Sequence, residues 1–107
     1  MAEDNAFERL VHFLNRTAFD PVLRASPSDY KSESDKKVLA DVQRKTKTEK
    51  ERYAGYESAA KVKQMFEDDL NSEPAKKVHR ELERLGLPTI PSLKAEFEQL
   101  CEREGVK

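Results

Sequence analysis

Apolar side chains in this chain recur every three or four residues rather than every second one, the period of amphipathic helices and not of half-buried strands. Phe7, Leu10, Val11, Leu14 and Ala18 make the first stripe. Asn5 followed by Glu8 offers a capping box ahead of it, each side chain able to reach the other's backbone N–H. Pro21 drives the residue before it out of the helical region, so the pattern predicts a first helix over about 5–19. From Pro21 to Lys31, the prolines Pro21 and Pro27 and the turn formers Ser26, Ser28 and Asp29 predict a connector, with Val22 and Leu23 tacked onto the core.

Between Pro27 and Pro74 only Gly55 interrupts good helix formers. Ser32 with Asp35 offers another cap, and Glu33–Lys37, Asp41–Lys45 and Glu57–Lys61 are acid-before-base pairs one turn apart. The apolar phase, however, is broken. At about 100° per residue Val38, Val42, Tyr53 and Tyr56 share one side, while Ala59, Val62, Phe66 and Leu70 cluster roughly a third of a turn away. This predicts a long central helical hairpin or bent helix, drawn as helices over about 33–52 and 56–70 meeting near Gly55. Ser72 and Pro74 then open a helix over about 73–85, carrying Ala75, Val78, Leu82 and Leu85 and stopped by Gly86-Leu87-Pro88. Ser92 caps a last helix over about 92–104, with Leu93, Phe97, Leu100 and Cys101 on its stripe and Gly105 at its end. The fold class is all-α, a single compact domain over 1–107 with four to five helices.

Composition agrees with that reading. Ala, Glu, Lys, Leu and Arg supply 54 of the 107 residues, the usage of helical bundles. The charged residues, 38% of the chain, sum to a net charge of −1, so they can pair along helix faces and give no basic field for a dedicated nucleic-acid binder. The start, Met1 to Leu10, lacks the basic and apolar regions of a signal peptide, and no apolar run approaches the roughly 20 residues of a membrane span. A single cysteine, Cys101, makes no internal disulfide. Cytoplasm is the expected compartment.

Candidate chemistry is sparse. The stretch from Gln43 to Arg52 has no apolar side chain and carries Arg44, Lys45, Lys47, Lys50 and Arg52 against Glu49 and Glu51, with Tyr53 and Tyr56 directly after. A helix is held by an apolar stripe, so this segment is expected to project beyond the core. Its functional reading is a basic arm for an acidic partner or a phosphate backbone, with tyrosines to stack on bases. Its bland reading is a solvated helix face. Glu67, Asp68, Asp69, Asn71 and Glu73 gather oxygen atoms but lack the glycine and ligand spread of a calcium loop. More simply, those acids face the start of the next helix. His12, His79 and Cys101 fall on three helices without zinc spacing, and His79 and Cys101 are expected at core edges. No phosphate-cradling or nucleophile motif is present. Phe13 and Met65 stand off their stripes, and Phe13 in particular is a candidate exposed anchor for a partner or a second copy.

These readings lead to a non-catalytic protein-protein interaction or regulatory module. Arg44, Lys45, Lys47, Lys50, Arg52, Tyr53 and Phe13 are its candidate surface, with a protein partner or self-association and no membrane, metal, cofactor or small-molecule ligand expected. A nucleic-acid-associated protein using 44–52 ranks second. An enzyme assembled from scattered residues ranks third.

Overall fold

A computed structural model describes residues 2–106. Among the described residues every regular element is a helix: α1 (Ala2–Leu14), α2 (Asp20–Arg24), α3 (Glu33–Ala54), α4 (Ala59–Asn71), α5 (Glu73–Arg84) and α6 (Lys94–Arg103), with a π turn over Asn15–Phe19 and single 3-10 turns at Pro27–Asp29 and Pro91–Leu93. They form one elongated body of 47 × 23 × 20 Å, as an all-α single domain predicts.

The first helix departs from its predicted limits at both ends. It begins at Ala2, so Asn5 lies inside it and does not start it. Nor does it stop before Pro21. Asn15–Phe19 widen into a π turn in which the Asp20 N–H donates to the Asn15 carbonyl, and α2 runs on directly. Pro21 thereby occupies the first turn of α2, where its missing N–H costs nothing. The Thr17 hydroxyl donates to the Phe13 carbonyl at 2.6 Å within the same widened region. The π turn also buries Ala18 and Phe19, and α2 buries Val22. Gln43 holds α2 from the side, its Nε2 donating to the carbonyls of Val22 and Ala25 at 3.0 and 2.8 Å.

The central hairpin is two helices. Ser32 caps α3 and Ser58 caps α4, each accepting from the backbone N–H three residues on. Gly55 ends α3 at φ −91°, an ordinary value, and the left-handed residue of the turn is Glu57 at φ 62°. Ser72 caps α5, and Gly86 (φ 75°) closes it: the N–H groups of Gly86 and Leu87 donate to the carbonyls of Glu83 and Leu82, the Schellman arrangement. The same pattern recurs at Gly105 after α6. Ahead of α6, the cap is Thr89 rather than Ser92. Ser92 serves as the third residue of the turn: its N–H donates to Thr89 Oγ1, and the Thr89 N–H donates to Ser92 Oγ.

Two apolar clusters hold the body together. One joins α1, the π turn, α4 and α6 around Leu10, Leu14, Phe66 and Phe97, with the Phe66 and Phe97 rings stacked at 4.0 Å between centroids. The other joins α2, α3 and the end of α5 around Val22, Leu39, Val42, Leu82 and Leu85. Tyr30 ties the connector to it by donating to the Leu85 carbonyl at 2.8 Å. α3 spans both clusters.

Its inward seam is Leu39, Val42, Thr46, Glu49 and Tyr53, spaced three and four apart, of which Thr46 is 6% exposed and Tyr53 fully buried. The segment 43–52 therefore lies along the body rather than projecting from it. Its inward positions are polar, which is why its apolar stripe is invisible.

Candidate functional site

A cavity of about 380 Å³ opens between the two clusters, where α3, the α4–α5 junction, the π turn and the connector before α6 face one another. Its walls follow from the local folding just described. The π turn and α2 bring Ala18, Phe19 and Val22. Helix α5 brings Ala75, Val78, His79 and Leu82, and the Thr89 cap sets Thr89 and Ile90 beneath them. α3 lays Thr46, Glu49 and Arg52 along the opposite wall, and Asp69 reaches in from the end of α4. An apolar cavity with a few converging polar groups is the usual form of a small-molecule site.

The polar groups form one connected cluster. Tyr53, fully buried, donates its hydroxyl proton to Asp69 Oδ2 at 2.6 Å. The Glu49 carboxyl lies near enough to Asp69 to feel its charge, and Arg52 donates to Glu49 Oε1 and, at 3.1 Å, to the Tyr56 hydroxyl. Burial pushes the Glu49 carboxyl up to about 7, the neighbouring Asp69 carboxylate adds to this, and Arg52 opposes it. Burial and then Asp69 hold the Tyr53 phenol firmly protonated. His79, 7% exposed, has its titration lowered by burial, with Asp69 and Glu83 pulling the other way. Its Nδ1 is buried without a hydrogen-bond partner. Chemically this set can hold a proton near neutral pH at Glu49 and can accept hydrogen bonds at its carboxyl groups.

The expected site residues distribute differently. Of the basic run, Arg44 and Lys45 pair with Asp41 at 2.6 and 3.0 Å, Lys50 pairs with Asp20 at 2.8 Å, and Arg52 pairs with Glu49. Lys47 is exposed. Four of the five cations are thus matched inside the chain, and Arg44, Lys45 and Arg52 line the cavity. Tyr53 is corrected from a stacking surface to a core residue, because the α3 seam turns it inward against Phe19 and Tyr56 at 5.6 and 5.4 Å. Phe13 is corrected likewise. It is 9% exposed and lies 6.2 Å from the Phe97 ring, since α6 covers the side of α1 that the stripe leaves open. Cys101 is buried in the other cluster and its thiol is pushed up to about 11, chiefly by burial. It lies away from this cavity.

The sequence reading missed the residues that matter here. Glu49 counted only as an acid diluting the basic run, Asp69 as a helix-end charge and His79 as a core edge. The signal that could have found them is the seam itself: Thr46 and Glu49 fall at the core positions between Val42 and Tyr53, and polar residues at core positions mark functional sites. Compared with known protein families, curated proteins and solved structures, the chain matches none.

Proposed function

We propose that this chain is a non-catalytic regulatory module that binds a small molecule in the cavity between α3 and α5. The observation that carries the reading is the cavity itself, whose largely apolar walls also hold the Glu49 and Asp69 carboxyls, Arg52 and the half-enclosed edge of His79. The reading departs from the expected absence of a small-molecule ligand but keeps the expected protein partner, which would sense whether the cavity is filled. The intramolecular ion pairs of the basic run speak against nucleic acid as that partner.

One observation favours a second reading, an enzyme. Glu49, titrating near neutrality, has the property of a general acid or base. Against it, the Tyr53 hydroxyl beside this cluster is already committed to Asp69.

The test is ligand capture. The native protein and an Ala75→Phe variant, which fills the cavity from a half-buried position on α5, are equilibrated with small-molecule extract and analysed by mass spectrometry. A compound retained by the native protein and not by the variant is expected. At a hundredfold excess over its Kd it should stabilise the native protein by about 2.7 kcal/mol. Retention of nothing by either, or equally by both, contradicts the reading. Turnover of the captured compound would move the assignment to the enzyme.

A further inference from the structure

A groove of about 630 Å³ runs between α1 and α6. Its α1 wall carries Glu8, Arg9, His12 and Arg16, all exposed. Arg9, His12 and Arg16 stand at i, i+3 and i+7, so one face of the helix presents all three. Arg103, also exposed, faces them from α6, and Phe13 and Leu100 supply the apolar part of the lining. The whole chain has a net charge of −1, which makes this a local excess of positive charge.

The excess is not cancelled from within. Glu104 takes Arg9 as an ion pair that ties the end of α6 to α1. Among the described residues, no carboxylate lies within ion-pair distance of Arg16 or Arg103. Other cations that face a neighbouring helix are matched, Lys50 by Asp20 and Arg84 by Asp35. Setting Glu8 against Arg16 and Arg103 leaves one positive charge unanswered in the groove, with His12 not counted.

A guanidinium is a fork of donors with no acceptor, suited to carboxylate or phosphate. The Arg9–Glu104 pair is the carboxylate version, supplied here by the chain itself. Length narrows the choice further. Arg9 and Arg16 lie about 10 Å apart by helical rise, more than a single phosphate or carboxylate spans. A nucleic-acid strand would bring several phosphates, but its charge is continuous and Glu8 and Glu104 stand against it. Nor does Phe13, 9% exposed, offer a face on which a base could stack. A peptide places carboxylates only where its sequence puts them, and in an extended chain residues three apart are about 10 Å from each other.

We infer that this groove docks an acidic peptide segment of a partner protein, whose carboxylates pair with Arg16 and Arg103. The inference rests on the reading above that the module has a protein partner, and names the surface that meets it. Groove and cavity share no lining residue, so partner and small molecule can be held at once.

Calorimetric titration of the native protein with acetylated hexaglutamate, hexathymidylate and inorganic phosphate, at about 20 mM salt, tests this. Expected is hexaglutamate binding about tenfold or more tighter than either other anion, weakening about fivefold at about 200 mM salt as exposed charges are screened. Arg16→Glu combined with Arg103→Glu should cost about tenfold or more in that affinity with the circular dichroism unchanged, because exposed substitutions seldom disturb a fold. Lys47→Glu, an exposed reversal on α3, should leave it as it is. If the double variant does not fold, Arg16→Gln alone should still weaken hexaglutamate binding. Hexathymidylate or phosphate binding as tightly as hexaglutamate, hexaglutamate binding that survives the arginine changes, or no binding at all overturns the inference. The cavity's small-molecule reading is decided separately, by the capture experiment.

Discussion

Replacing Glu49 by Gln should stabilise this protein, by an amount that grows as pH rises from about 4.5 to about 7 and then levels off. The physical basis is a carboxyl group whose titration is raised from 4.5 to about 7 by burial and by Asp69. Such a group favours the protonated form in the folded chain, so its contribution is fully present below about pH 4.5 and is lost as pH rises through about 7. The displacement corresponds to about 3 kcal/mol as an upper figure. Because 30% of the Glu49 side chain reaches solvent and Arg52 partly compensates its charge, about 1–2 kcal/mol should survive screening. Gln has nearly the same shape and offers an amide donor to Asp69, which imitates the protonated acid at every pH.

Urea unfolding followed by far-ultraviolet circular dichroism, run on both proteins from about pH 4 to 8.5, isolates this group, since all other titrations cancel in the difference. At about pH 4 the two midpoints should nearly coincide. At about pH 8.5 the variant should be the more stable by the stated amount. A variant less stable than the native protein at high pH, or a difference that ignores pH, would refute the placement of Glu49 beside Asp69.

Gly86→Ala should cost about 1–2 kcal/mol in the same assay. Gly86 sits at φ 75°, and an added Cβ meets nothing within 4 Å, so the whole penalty is backbone conformation. No loss would mean that α5 does not end in the Schellman turn. Reversing Lys45, Lys47 and Lys50 to Glu together should cost about 1–2 kcal/mol, because two of the three lose ion partners, Asp41 and Asp20, and then repel them. An unchanged thermal midpoint would return the segment to a freely solvated face.

Much of the fold is legible in the sequence because its punctuation is local. Ser32, Ser72, Gly86 and Gly105 act on their own neighbours, and the structure uses each where the pattern places it. The errors arise where a residue's effect depends on something outside its own turn. Pro21 breaks a regular α-helix, yet a π turn one step earlier gives it a position that needs no N–H. Phe13 is off the stripe that faces α4 but on the side that faces α6, a second neighbour that no single-helix projection contains. The cavity was illegible for a related reason. Glu49, Asp69 and His79 come from three helices, and none carries a motif. What each does depends on the others, so its chemistry appears only when α3, α4 and α5 are assembled.

The central claim is that the space between α3 and α5 is where this protein binds its ligand, and the residues of α5 that line it, Ala75, Val78 and His79, report on it. Titration with the compound captured by the native protein, followed by nitrogen-15 spectroscopy, should move the Ala75, Val78 and His79 amides saturably along one curve. Saturable binding that leaves His79 unmoved and is reported instead from the groove of Arg9, His12, Arg16 and Arg103 between α1 and α6 would contradict it.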